Sequence, residues 1–466
     1  MNQLLRSSAS ALAGAIRSGE VSSEEVVGAH IKRIEEVNPR LNAVAQLTAE
    51  SALARAREAD RMLARGEIKG PLHGVPITIK DSLETRGVIS TSGSKARACY
   101  KPGVNATAVE RLVEAGAILL GKTNVPELTF YAHTDNLVYG RTNNPYDLSR
   151  TPGGSSGGEA AIIAACGSPL GLGSDAGGSQ RVPAHFCGIA TLRPTNGRVS
   201  RAGHFPPIEG LFGEVLAVGP MARYVEDLVL TLPLIAGADW RDPWTVPAPL
   251  DDPRTVELQN LRVAFYTDNS VSASTPEVIA AVKASASVLS ESGLIVEEKV
   301  PDGLRQSFEL YLSLMTAYAN TEMEILLQST GMDDIYPALK RSLETLRGAK
   351  PSLSDYVNMM TNRRRFQSRM LAFMRDYDVI LCPAAPFPAP LHEATEEDQF
   401  IAVLSHAMPY GLTGWPAAVA RAGSTPEGLP VGVQIVARPW REDIVLAVAQ
   451  RLESAFRDWK TPTIFE

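Results

Sequence analysis

Two clusters of glycine and serine, lying close together in the chain, limit its fold more than any other feature. The first is TPGGSSGGEAA, Thr151 to Ala161, and the second is GSDAGGSQR, Gly173 to Arg181. A run holding four glycines and two serines ordinarily marks a flexible linker. Here an Ala-rich, helix-like stretch follows the first cluster at once, and the second cluster comes soon after it. Taken alone, each reads equally well as a loop or as half of a site.

The surrounding segments alternate between two periods. In HGVPITIKDS, Val75, Ile77 and Ile79 alternate with Pro76, Thr78 and Lys80, as in a strand. ATAVERLVEAGAILLGKTN reads as a helix followed by a strand. DVILCPAA (Asp378 to Ala385) and PVGVQIVA (Pro430 to Ala437) read as further strands, and EDIVLAVAQRLESAF as a closing helix. Residues 1 to about 65 read as helical. Ser22 to Glu25 is a capping box, after which Val27, Ile31 and Ile34 share a face. The stretch FELYLSLMTAYANTEMEILLQ reads as one long helix. Such alternation predicts a layered α/β fold around a mostly buried sheet. No Pro/Gly-rich linker cuts the 466 residues, so the expectation is a single domain over 1–466. Within it we distinguish N-terminal helices (1–65), a core (66–205), a helical cleft or cover region (206–400) and a C-terminal return to the sheet (401–466).

Composition removes several function classes. An apolar fraction of 44% against 21% charged residues supports a large core. The net charge of −7, without a basic stripe, argues against nucleic acid and anionic membrane as partners. The first twenty residues lack signal-peptide order, and no apolar run is long enough to span a bilayer. Cys99, Cys166, Cys187 and Cys382 show no CxxC spacing and read as reduced thiols, which points to the cytoplasm. The seven histidines form no HExxH, and His185 with Cys187 lacks a second pair, so no metal is expected. GAILLGKT (Gly116 to Thr123) matches the letters of a phosphate loop, but its Ala-Ile-Leu-Leu interior is itself a strand. GLGSDAGG misses the dinucleotide spacing by one residue. No organic cofactor is expected.

The serines remain. No GxSxG elbow supplies a histidine partner. A lysine can act as the base if burial makes it neutral near working pH. Lys80, closing an apolar strand, is the candidate, against the plainer reading of a surface lysine at a strand end.

On these residues the chain resembles the amidase signature family of serine hydrolases. The resemblance runs through PLHGVPITIKD, GKTNVPEL, TPGGSSGGEAA, GLGSDAGGSQRVPAHFCGIATLRPTNGRVS, VGPMARYVEDL, YGLTGWPA and GLPVGVQIVARP. It implies a large twisted mixed β-sheet with helices on both faces. It also implies a Ser–cis-Ser–Lys triad, with Ser179 as nucleophile, Ser155 as the cis-serine and Lys80 as base. Ser156 would be a supporting hydroxyl. The backbone N–H groups of Ala176, Gly177, Gly178 and Ser179 would form the oxyanion hole. The two glycine clusters then become two halves of one site, the second turning several N–H groups toward one point.

The reaction implied is cleavage of C–N bonds in aryl or alkyl amides and carbamates, with a glutamine-hydrolysing A-type subunit of a tRNA-dependent amidotransferase as the alternative. The expected partner is the small-molecule substrate, and a homodimer stays open. Thr129, Phe130 and Tyr131 are placed near the acyl pocket by the resemblance. HFPPIEGLFGEV (204–215) and a stripe of Phe308, Tyr311, Met315 and Tyr318 are candidates for a cover, although such stripes ordinarily pack inward as core. Three positions depart from the commonest family pattern: Gln180 stands where an apolar residue is usual, Thr191 where glycine is, and Arg193 where lysine is.

Overall fold

The computed structural model describes residues 3–465 apart from 208–209, 211, 349, 396–401 and 458. Among them, eleven strands form one sheet. They are β1 (Val44–Leu47), β2 (Pro76–Lys80), β3 (Ile118–Thr123), β4 (Leu170–Asp175), β5 (Ala190–Arg193), β6 (Ala217–Ala222), β7 (Arg262–Phe265), β8 (Ile295–Glu298), β9 (Val379–Pro383), β10 (Ala417–Ser424) and β11 (Pro430–Ala437). Their order is β1-β3-β2-β4-β6-β5-β10-β11-β9-β7-β8. The sheet is mixed: β2 runs parallel to β3 and β4, β7 runs parallel to β8 and β9, and the remaining pairs are antiparallel. The fold is α/β, as the alternating periods predict.

Strand alternation sorts side chains onto two faces. In β11, Val431, Val433, Ile435 and Ala437 enter one core cluster and Val436 another. In β9, Val379 and Leu381 go to the first and Ile380 and Cys382 to the second. Helices Thr107–Glu114, Val225–Ile235, Pro276–Glu291 and Glu442–Ala455 contribute to the first cluster. Helices Leu304–Ala319 and Leu353–Phe373 contribute to the second.

Three local expectations need correction. Residues 1–65 are not all helical, because β1 interrupts them and pairs antiparallel with β3. The switch comes at Asn42, which ends helix Ser23–Leu41 with a left-handed φ of 52°. The Asn38 side chain then accepts the N–H groups of Ala43 and Val44, both at 2.8 Å. The long helix around Tyr311 breaks in two, Leu304–Ala319 and Glu322–Thr330. Thr321 leaves helical geometry (φ −132°, ψ −85°), and Asn320 donates to the carbonyl of Leu346 at 2.7 Å. Region 206–400 is more than a helical cover, since it supplies β6, β7 and β8 beside β9, the strand expected at Asp378 to Ala385.

Candidate active site

Alternation in β2 decides where its lysine goes. Ile77 and Ile79 enter the first core cluster, so Thr78 and Lys80 project to the other face. Lys80 is the last residue of β2, and the parallel neighbour β4 ends at Asp175. Sites in sheets with parallel strands gather at such carboxyl ends. The second glycine cluster leaves β4 there and turns into helix Arg181–Cys187. The first enters helix Gly157–Ala164. Gly154 has no room for a side chain, since a Cβ would lie 2.7 Å from Tyr131 O and 2.8 Å from His133 N. The Gly154–Ser155 peptide bond is cis. A bond from Ser156 N–H to Ser179 O, 3.0 Å, ties the two clusters together.

Lys80 is completely buried, and its amine is ringed by oxygen atoms. Nζ lies 2.7 Å from Ser155 Oγ, 2.9 Å from Ser174 Oγ and 3.3 Å from Ser174 O. Among the described residues no carboxylate forms an ion pair with it. Burial pulls Lys80 down to about 7, against the opposing fields of Asp175 and Glu159. Glu159, on helix Gly157–Ala164, accepts from the Thr78 and Thr123 hydroxyls, and burial pushes it up to about 7. Ser174 Oγ also lies 3.0 Å from His204 Nε2, and His204 Nδ1 lies 2.9 Å from Pro206 O. Ser156 Oγ sits 3.3 Å from Ser174 O, beside this set.

Asp175 organises the turn that follows β4. Burial would raise its carboxyl, but the Arg181 and Arg193 guanidinium groups outweigh that and hold it well below the usual carboxylate range. Arg181 clamps it with Nη2 at 2.9 Å and Nε at 3.0 Å, and Arg193 Nε stands 3.7 Å away. Asp175 also accepts the backbone N–H groups of Gly178 (2.8 Å) and Gln180 (3.1 Å). This corrects the expected set of oxyanion donors. The Gly178 N–H is committed to Asp175, because the carboxylate needs acceptor bonds satisfied inside the core. The N–H groups of Gly177 and Ser179 have no acceptor among the described residues, and Ala176 lines the cavity beside them. Two departures from the family pattern meet here: Gln180 Nε2 lies 3.3 Å from Thr191 Oγ1 and donates to Gly219 O at 2.9 Å. The third, Arg193, reaches the carbonyls of Trp415 and Val215, each at 2.8 Å.

A cavity opens over Ser155, Ser174 and Ser179. Thr129, Phe130 and Tyr131 line it, as do Leu128, Phe212, Leu216 and Leu404. No charged side chain among the described residues does. Of the aromatic and Met stripe, Tyr311, Met315 and Tyr318 face the cavity instead of serving only as core, whereas Phe308 packs into the second cluster. Of the candidate cover 204–215, Phe212 reaches the cavity, and Ile208, Glu209 and Leu211 lie outside the described residues. The Tyr311 hydroxyl presses against the turn, since a Cβ on Gly177 would lie 2.0 Å from it. Burial raises Tyr311 far above the ordinary phenol value, so it stays protonated. It has no hydrogen-bond partner among the described residues.

Sequence reasoning missed Ser174, His204 and the role of Asp175. Ser174 and Asp175 stood in the quoted second cluster, and a buried Asp beside a buried Arg was a readable signal. His204 lies 30 positions from Ser174 and gave no local sign.

Comparisons with known proteins place the chain in a family. The model of the family described as Amidase matches residues 25–446. The A-type subunit of the glutamyl-tRNA(Gln) amidotransferase of Chloroflexus aggregans is 35% identical, over 99% of this chain and 98% of the relative. Indoleacetamide hydrolase of Bradyrhizobium diazoefficiens is 35% identical over 96% of this chain and 87% of its own length. The solved structure of 6-aminohexanoate cyclic dimer hydrolase superposes with a TM-score of 0.89 at 29% identity, covering 99% of each chain. The chain belongs to the amidase signature family and is an enzyme of amide chemistry. No helix among the described residues is long and apolar enough to cross a membrane.

Proposed function

We propose that this enzyme hydrolyses uncharged, largely apolar amides and aryl carbamates through Ser179, Ser155 and Lys80. The observation that carries the reading is a buried lysine, bonded to a serine hydroxyl at 2.7 Å, beneath a cavity without charged side chains among the described residues. Neutral Lys80 accepts the Ser155 proton while Ser155 accepts that of Ser179, and Ser179 Oγ attacks the carbonyl carbon. The Gly177 and Ser179 N–H groups receive the developing oxyanion. The relay then returns a proton to the leaving amine, and water releases the acyl or carbamoyl group from Ser179.

A second reading, a glutamine-hydrolysing amidotransferase subunit, draws on the Chloroflexus relative. Glutamine would bring a carboxylate and an ammonium group into this cavity, where each would lose hydration without a counter-charge. The test is turnover by the purified chain alone across anilides, fatty amides, aryl carbamates and L-glutamine. We expect anilides and aryl carbamates to be cleaved and glutamine to be left intact. Glutamine as the best substrate, or activity only with partner subunits, would reverse the two readings.

A further inference from the structure

We propose that His204 is a positioning residue that aims the lone pair of Lys80 at Ser155, acting through the Ser174 hydroxyl. The inference rests on the reading of Lys80 as the base. It follows from counting donors and acceptors around one nitrogen.

A neutral lysine has two N–H bonds and one lone pair. Three oxygens surround Lys80 Nζ: Ser155 Oγ, Ser174 Oγ and Ser174 O. For the lone pair to take the Ser155 proton, both N–H bonds must point at Ser174. The backbone carbonyl of Ser174 can only accept. Its hydroxyl can accept or donate, and a donating hydroxyl would occupy the lone pair and leave Ser155 without a base. The Ser174 proton therefore needs another acceptor. His204 Nε2, 3.0 Å away, is that acceptor. It accepts only while the ring proton sits on Nδ1, and Pro206 O, 2.9 Å from Nδ1, holds it there because a carbonyl cannot donate. The chain thus runs one way: Lys80 N–H to Ser174 Oγ, Ser174 O–H to His204 Nε2, and His204 Nδ1–H to Pro206 O.

A histidinium would reverse the chain, since Nε2 would then donate to Ser174 and turn that hydroxyl toward Lys80. Burial, reinforced by the Lys80 charge and by Arg201, pulls His204 down to about 3, opposed by the bond to Pro206. The ring thus stays neutral through the working range. Lys80 itself is faced by Asp175, Glu159 and His204.

The experiment is the pH dependence of kcat/KM for an anilide in the wild type, H204L, H204Q, S174A and the doubles S174A/H204L and S174A/H204Q. In H204L the freed Ser174 proton competes for the Lys80 lone pair. The alkaline plateau should fall roughly 10- to 100-fold with KM little changed, as for a misdirected catalytic group. The acidic limb should also move to lower pH, because the competing bond stabilises the neutral amine. H204Q keeps an acceptor near the Nε2 position and should restore most of the plateau. In the S174A background H204L and H204Q should be equal, because the intermediary is gone.

A wild-type limb left unchanged in H204L would overturn the proposal, as would equal losses in H204L and H204Q in the Ser174 background. If H204L does not fold, H204F takes its place, alone and with S174A: a loss of the same size in both backgrounds overturns the proposal, and a loss confined to the Ser174 background supports it. A wild type with no acidic limb would instead sink the assignment of Lys80 as base, so the two failures are distinguishable.

Discussion

Lys80 ends β2 and Lys122 lies in the adjoining parallel strand β3, both completely buried, yet their surroundings differ in kind. Strand register pairs Lys122 with Ile79, so the two lysines project to opposite faces of the sheet. Lys122 reaches the Asp81 carboxylate at 3.7 Å, the Leu83 carbonyl at 2.5 Å and Ser90 Oγ at 2.9 Å. Lys80 meets hydroxyls and one carbonyl, and its partner Ser155 opens onto the cavity. Burial lowers both, Lys122 to about 8 and Lys80 to about 7. Depth of burial therefore does not separate a structural cation from a base. The partners do: a carboxylate holds the proton on Lys122, whereas in the proposed mechanism the Ser155 hydroxyl gives Lys80 something to deprotonate.

The largest expected effect isolates the chemical side of this contrast. S179A removes the proposed nucleophile and should lower kcat by ~10⁶-fold. The thermal midpoint should stay near that of the wild type, since Ser179 lines a cavity. Retained turnover, or a covalent adduct mapped by mass spectrometry to another residue, would contradict the assignment. K122M isolates the structural side. It leaves Asp81 buried without its cation and should cost about 3 kcal/mol in denaturant unfolding, by the rule for broken buried pairs. kcat of the folded fraction should be unchanged. A K122M protein that is stable but inactive would erase the contrast.

The pH profile sharpens it further. Because Lys80 is depressed to about 7, kcat/KM should rise with pH through that value and level off on the alkaline side. Below the limb the loss should approach about tenfold per pH unit. Glu159 is raised into the same range, so E159Q must retain a limb for the assignment to stand. The smallest effect is Y311F. Losing one neutral hydroxyl from the cavity wall should change kcat/KM by a few-fold to about tenfold. An effect only on stability would make Tyr311 core alone.

How much of this was legible followed the range of the interactions. Strands β2, β3, β9 and β11 are patterned by their own residues, and the alternation of Ile77 and Ile79 already sent Lys80 to the far face. The glycine clusters were readable because Gly154 and Gly177 are required by close neighbours that leave no space for Cβ. β1 was missed because only Val44 of its four residues is buried and its start depends on Asn38 side-chain bonds. His204 and the cavity faces of Phe212 and Leu404 arise from long-range contacts that no local pattern records. The turning of Gly178 N–H toward Asp175 is a matter of backbone orientation, which AGGS permits but does not dictate.

The central claim is that Lys80 moves protons both to and from the serines. It is tested most directly by kcat/KM of K80A on a matched anilide and p-nitrophenyl ester. An amine leaving group needs the returned proton, and a nitrophenolate does not. We expect the anilide reaction to fall by roughly 10³- to 10⁴-fold, near the upper range for general acid–base catalysis, and the ester reaction by at least about tenfold less than that. Equal losses on the two substrates would contradict the acid role in amine departure, and unchanged rates on both would remove Lys80 from the chemistry.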